Sequence, residues 1–194
     1  MDRMTSLPAA ASWRHHGTRT GFEVAFFAAT PGGHRLAGRT TADDGASMWS
    51  IDYAVIVDRA WRTLEARVSA STASGETHMT LTRDDVSGWS VEGEPRPELH
   101  GCVDIDFESS AMTNMLPVRR LEMIEGVTRE VPAAFVRAPD LRVERLEQRY
   151  TLIEAAPERV VFHYESSTFD FACELVYDGA GLVTGYPGIA TRHA

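Results

Sequence analysis

The sequence predicts a mostly-β fold, an antiparallel meander closed or rolled around a single short α-helix. Three observations predict it. Short runs rich in β-branched and aromatic residues recur along the chain, turn residues separate them at strand-length intervals, and one segment after Phe107 breaks the pattern with a proline in a helical context.

Taken in order, strands are expected at 22–29, 48–57, 63–71, 77–83, 102–107, 142–152, 159–166 and 170–177. The punctuation between them is Pro31-Gly32-Gly33, Asp43-Asp44-Gly45, Ser74-Gly75, Ser87-Gly88, Glu125-Gly126 and Asp178-Gly179. Within 142–152, Val143-Glu144 and Leu146-Glu147 break strict alternation, which predicts a bulge or local twist. Asn114 is placed to cap a helix that holds Pro117 in its first turn, where a missing N–H costs nothing. A start at Ser110 would bury Pro117 in the helix interior at ~3 kcal/mol, so the later start is expected. The helix then has room for about two turns before 121–124 and Gly126, which read as a strand and a turn. Such a helix plugs a barrel end or fills the hollow of a curled sheet. No repeat or linker divides the chain, and residues 1–194 are expected to form one domain.

Composition limits the functions. A net charge of −9 argues against nonspecific binding to nucleic acid or to anionic membrane surfaces. All 19 basic residues are arginine, which rules out Schiff-base and phosphate-loop lysine chemistry and fits the codon bias of a GC-rich bacterial genome. Cys102 and Cys173 are too far apart for a metal-binding pair, and they form no disulfide framework. No run approaches the ~20 apolar residues of a membrane span, and the apolar run near the N-terminus is too short for a secretory signal, so a cytoplasmic location is expected.

The densest chemistry lies in 100–121, HGCVDIDFESSAMTNMLPVRRL. Asp104 and Asp106 share one strand face, with carboxyls ~6–7 Å apart, a spacing that overlaps an inverting glycosidase pair. Arg119 and Arg120 follow closely and are expected to hold both acids ionised, which is poor for a general acid. The structural reading, acids locking the helix to the sheet through the arginines and the free N–H groups at the helix start, is preferred over the catalytic one. Cys102 stands beside two acids, which is expected to raise its pKa, and both cysteines read as buried free thiols. The histidines show no metal-binding spacing, so no metal and no cofactor are expected. Trp13, Tyr53 and Tyr150 are among the aromatics able to line a cavity and stack on a sugar face, although any single ring more commonly fills a core.

These residues carry a resemblance. Gly101, Cys102, Asp104 and Asp106, then Thr113, Asn114, Leu116, Pro117, Arg119, Arg120 and Leu121, resemble the signature of the bacterial putative glycolipid-binding family, a former domain of unknown function. Trp13, Phe22-Glu23, Tyr53, Trp61-Arg62, Gly88-Trp89, Gln148, Tyr150 and Tyr186-Pro187-Gly188 extend the likeness along nearly the whole chain. Ala111 and Met112 depart from it, standing where the family usually has a proline and an aromatic. The resemblance implies a spiral β-roll, or incomplete barrel, wrapped around one helix.

The leading expectation is non-enzymatic binding of an amphipathic ligand such as a glycolipid in an apolar pocket of the rolled sheet. Candidate ligand-binding residues are Asp104, Asp106, Asn114, Arg119, Arg120, Trp13, Tyr53 and Tyr150, and no catalytic residue is assigned. The alternatives are a hydrolase of a sugar or lipid ester using Asp104 or Asp106, and a homo-oligomeric module whose partner is a second copy of the chain.

Overall fold

The fourth strand shows how this sequence writes its sheet. In Met48–Asp58, Trp49, Ile51, Tyr53, Val55 and Val57 are buried, while Ser50, Asp52, Ala54 and Ile56 between them are half-buried. That period of two gives a sheet one dry face and one wetter face. The computed structural model describes residues 4–122 and 124–194.

The N-terminal half is a continuous meander of β1 (Ala10–His15), β2 (Thr20–Thr30), β3 (Gly33–Asp43), β4 (Met48–Asp58), β5 (Thr63–Thr72), β6 (Gly75–Asp84), β7 (Gly88–Val91) and β8 (Glu94–Pro95). A single-turn 3₁₀ segment at Pro97–Leu99 leads to β9 (Asp104–Phe107). A second 3₁₀ turn, Met112–Asn114, runs into the helix α1 (Met115–Arg120). The chain returns through β10 (Thr128–Glu130), β11 (Ala133–Val136), β12 (Val143–Leu146), β13 (Gln148–Ala156), β14 (Arg159–Ser166), β15 (Phe171–Tyr177), β16 (Val183–Tyr186) and β17 (Ala190–Arg192).

Fourteen strands form one antiparallel sheet in the order β10-β13-β14-β15-β16-β17-β1-β2-β3-β4-β5-β6-β7-β8. The two halves of the chain are stitched in mid-sheet, where β17 pairs with β1 in the register Trp13↔Arg192. The edge strands β10 and β8 stand at opposite ends of that order, so the sheet is rolled and not closed into a barrel. Inside lies a three-stranded sheet, β12-β11-β9, whose β9–β11 pair is parallel. Mostly-β architecture around one short helix is therefore what the chain adopts. The parallel pair departs from the expected pure meander, because residues 108–132 carry the chain across the hollow and return it beside β9 in the same direction.

Two boundaries differ instructively. The run 142–152 is not one bulged strand. It breaks at Glu147, with β12 in the inner sheet and β13 in the outer one, and the register shift falls later, between Leu152 and Glu154. The non-alternating pairs near Glu147 mark a strand that changes sheets. The expected strand over 121–124 does not form at Leu121, Glu122 or Ile124, and Met123 lies outside the described residues. Pro117 does occupy the first turn of α1, but Asn114 makes no side-chain cap.

Rings fill the inner side of the roll. Tyr150 meets Phe162 and Tyr164 edge-on, with centroids 6.0 and 5.1 Å apart, and Phe162 meets Tyr177 at 5.5 Å. On the N-terminal side Tyr53 packs on Phe107 at 5.3 Å, which seats β9 against β4. Edge-to-face ring pairs of this kind add about 0.5–1.5 kcal/mol beyond burial.

Candidate functional site

A buried polar seam joins β1, β2 and β4 to the segment entering the helix. Glu23, an inward residue of β2, is fully buried. Its Oε1 accepts from the Tyr53 hydroxyl at 2.6 Å and from the Ser110 hydroxyl, and its Oε2 accepts the Ala111 backbone N–H at 2.8 Å. His15 Nε2 stands 3.4 Å from the same oxygen, while His15 Nδ1 accepts from Arg19 Nε at 3.0 Å. Because Nδ1 is the acceptor, Nε2 carries the proton that faces Glu23. Arg19 also donates to the Glu108 carbonyl, and Thr40 donates to the Ser109 carbonyl at 2.7 Å. Burial, with the Glu23 charge beside it, pushes the Tyr53 hydroxyl well above its ordinary pKa, so it stays a donor. A buried carboxylate served this fully is paid for by its hydrogen bonds, and it fixes the 108–111 segment to the sheet.

The acids of β9 behave differently from one another. Asp104 is buried and takes a two-pronged grip from Arg120, Nε to Oδ1 at 2.9 Å and Nη2 to Oδ2 at 2.7 Å. Asp106 takes no arginine among the described residues. Its Oδ1 accepts from Thr113 Oγ1 at 2.5 Å. Burial, which outweighs the Thr113 hydrogen bond, pushes the Asp106 carboxyl up to about 7, with the neighbouring charges of Asp104 and Glu108 adding to it. The expectation that both arginines hold both acids ionised is corrected. Arg120 holds Asp104 alone, and Arg119 lies with its guanidinium 4.2 Å from the Trp61 ring and donates to the Ala180 carbonyl. The acid at the helix entry is likewise neither Asp104 nor Asp106 but Glu23, brought from a strand far back in the chain.

The remaining candidates are inside as well. Asn114 accepts from the Tyr150 hydroxyl at 3.2 Å through its side chain and from the Tyr177 hydroxyl at 3.3 Å through its backbone. Trp13 is fully buried, donates to the Val183 carbonyl at 2.6 Å, and lies 5.1 Å beneath the Arg192 guanidinium. The structure thus brings Asp104, Arg120, Asp106, Asn114 and Tyr150 together around the helix, with Tyr53 on the opposite side of β9, and leaves Trp13 and Arg119 apart. The Cys102 thiol is raised to about 11 chiefly by burial, and Asp104 contributes less. The half-buried Cys173 is raised to about 12 by burial.

The outer face of β2–β6 carries a trough of about 730 Å³. Register explains it. The cross-strand row Phe26, Ala37, Ala54, Arg67, Thr80 runs beside the row Val24, Arg39, Asp52, Ser69, His78. Ala37 and Ala54 are adjacent small residues at the centre, so the floor is low and apolar. Arg35 and Arg67 and the Arg39–Asp52 pair, 2.6 Å apart, rise around it, and Phe26 stands 58% exposed at one side. Arg67 is drawn to Glu65 at 2.8 Å, whereas Arg35 makes no ion pair among the described residues.

The model of the family described as "Putative glycolipid-binding" matches residues 10–192. The chain belongs to that family. It is also similar in structure to a DUF1089 family protein from Pseudomonas aeruginosa, at 27% identity and a TM-score of 0.76, over 89% of this chain and 92% of that one. A β-barrel-like protein of the DUF1849 domain of unknown function from Brucella abortus shares the fold at a TM-score of 0.50 and 9% identity, covering 97% and 95% of the two chains. No curated protein matches. In this family member the signature of 101–121 is the β9–helix unit, and its acids, arginine, threonine and asparagine spend their polar groups on one another and on the tyrosines.

Sequence reasoning missed His15 and Arg19 of the seam, the role of Glu23, and the trough residues Arg35, Ala37 and Ala54. The signal for Glu23 was its position, a charged residue in phase with the inward Ala25 of a strand. The trough had no local signal, because its floor is assembled only by register.

Proposed function

We propose that the protein is a non-enzymatic binder of an amphipathic ligand of the glycolipid class, which lies along the trough of β2–β6. The observation that carries this reading is the pairing, in one trough of about 730 Å³, of an apolar floor and an exposed phenyl ring with a rim of arginines. That volume suits a drug-sized or single-chain ligand, and the lining matches both halves of an amphiphile. The acyl portion rests on Phe26, Ala37 and Ala54, and Arg35 and Arg39 bond the head-group oxygens. The family description points to the same ligand class. In this reading Asp104, Asp106, Asn114, Arg119, Arg120, Trp13 and Tyr150 form the frame, and Tyr53 ties the backbone beneath the trough to Glu23.

A fluorescent acyl probe titrated into the protein and displaced by a short-chain glycolipid tests this directly. Phe26→Ser is expected to weaken probe binding about fivefold to tenfold, from the apolar area it removes. Probe binding that is absent, or that Phe26→Ser leaves unchanged, contradicts the reading.

A further inference from the structure

The outer face of the sheet carries a second hollow, of about 500 Å³, lined among others by Thr20, Phe22, Thr41 and Met48. Register places it end to end with the trough. Phe22 and Val24 are successive outward residues of β2, and Thr41 and Arg39 are successive outward residues of β3. In each pair the first lines the hollow and the second lines the trough. The rows Thr20↔Asp43↔Met48 and Phe22↔Thr41↔Ser50 thus continue the row Val24↔Arg39↔Asp52, with no other outward row between them.

Along β2 the outward residues Phe22, Val24 and Phe26 make an unbroken apolar line. From Phe26 to the row of Thr20 and Met48 is about 20 Å of strand. Phe26 at one end is 58% exposed, and Met48 at the other is 75% exposed. Charge flanks this line without crossing it. Arg39 pairs with Asp52 at 2.6 Å on the β3–β4 side. Arg14 and Asp43 stand at the margin of the hollow, where Asp43 accepts the Gly45 N–H at 2.8 Å. A strip one side chain wide suits a single acyl chain, whereas a stable dimer would need ~800 Å² on each partner.

We infer that the acyl chain of the ligand leaves the trough over Val24 and Phe22 and ends against Met48, so that the hollow selects long chains over short ones. This inference rests on the trough as the ligand site.

Displacement of a fluorescent acyl probe from the full chain by octyl, dodecyl and tetradecyl maltoside, each below its micellar concentration, tests it. Full burial of a methylene adds roughly fourfold in affinity, and an open groove that covers one side should add roughly twofold. A gain of about tenfold is therefore expected from octyl to dodecyl, continuing to tetradecyl. Met48→Ser, at an exposed position, should weaken dodecyl and tetradecyl about threefold to fivefold, change octyl less than about twofold, and leave Tm unaltered. Thr41→Val, between Phe22 and Ser50, should tighten the long chains about twofold and leave octyl unchanged. Octyl binding with no gain for longer chains overturns the inference and leaves the trough in place. So does a gain that Met48→Ser leaves intact. A ligand-free dimer that Met48→Ser dissociates, seen by sedimentation, gives the hollow to a second copy and also overturns it. Failure of every maltoside to displace the probe, or of the probe to bind, overturns the inference together with the trough reading.

Discussion

At the scale of single residues, Asp104 and Asp106 show how two like side chains, two positions apart, both pushed up in pKa by burial, are given different partners. Asp104 has a two-pronged arginine, and removing one partner of such a buried pair costs about 3–5 kcal/mol because the other charge is stranded. Asp106 has only a hydroxyl donor, and its pKa is raised from 3.8 to about 7. A carboxyl whose folded-state pKa lies above its unfolded value stabilises the fold when protonated, and that contribution is lost as pH rises through the folded pKa. Stability tied to Asp106 is thus full below about pH 4 and fades by about pH 7. Asp106→Asn, which keeps the acceptor for Thr113, is expected to stabilise the protein by about 1–3 kcal/mol at pH 8 and much less at pH 5. Denaturant unfolding at the two pH values checks this, and an equal effect at both would show that Asp106 does not titrate in that range. The sequence placed these acids beside the helix but could not apportion them. Which acid meets which arginine depends on where the helix ends, and Arg119 turns to Trp61 instead.

At the scale of elements, alternation and turn chemistry made β2, β4, β5, β6, β14 and β15 legible to within a few residues, and Pro117 located the helix. β3 and β16 were not legible, because alanines and glycines interrupt their apolar rows. In β3 one such glycine has a packing reason. A Cβ on Gly38 would lie 2.4 Å from the Tyr53 hydroxyl and 2.5 Å from the Val24 carbonyl oxygen. The Tyr53 ring crosses Gly38 to reach Glu23, and a methyl there would lift it off. Gly38→Ala is expected to cost about 1–3 kcal/mol, the usual scale of overpacking, and to lower Tm accordingly. A wild-type Tm in that variant would show that the tyrosine does not cross the glycine.

At the scale of the whole molecule, an open sheet of fourteen strands must manage its two edges. One ends in β8, two residues long and closed by Pro95, and the other in β10, three residues long. Short strands and a proline limit edge-to-edge pairing. The rolled shape was legible through family resemblance more than through periodicity, since periodicity says nothing about which distant strands meet. The stitching of β1 to β17 and the insertion of the β9–helix unit are both long-range. The same long-range register assembles the trough, which is why five of the candidate residues cluster in sequence around the helix while the trough opens on the other face, with Tyr53 the one candidate among its lining residues. The central claim is that this trough holds an amphiphile. Native mass spectrometry of the wild-type protein and of Ala54→Trp, which fills the trough floor at an outward-facing position, tests it most directly. The account predicts a bound amphiphile of glycolipid class on the wild type and its loss from Ala54→Trp at unchanged Tm. Equal ligand loads on the two proteins, or a wild type that takes up no amphiphile when offered one, would contradict it.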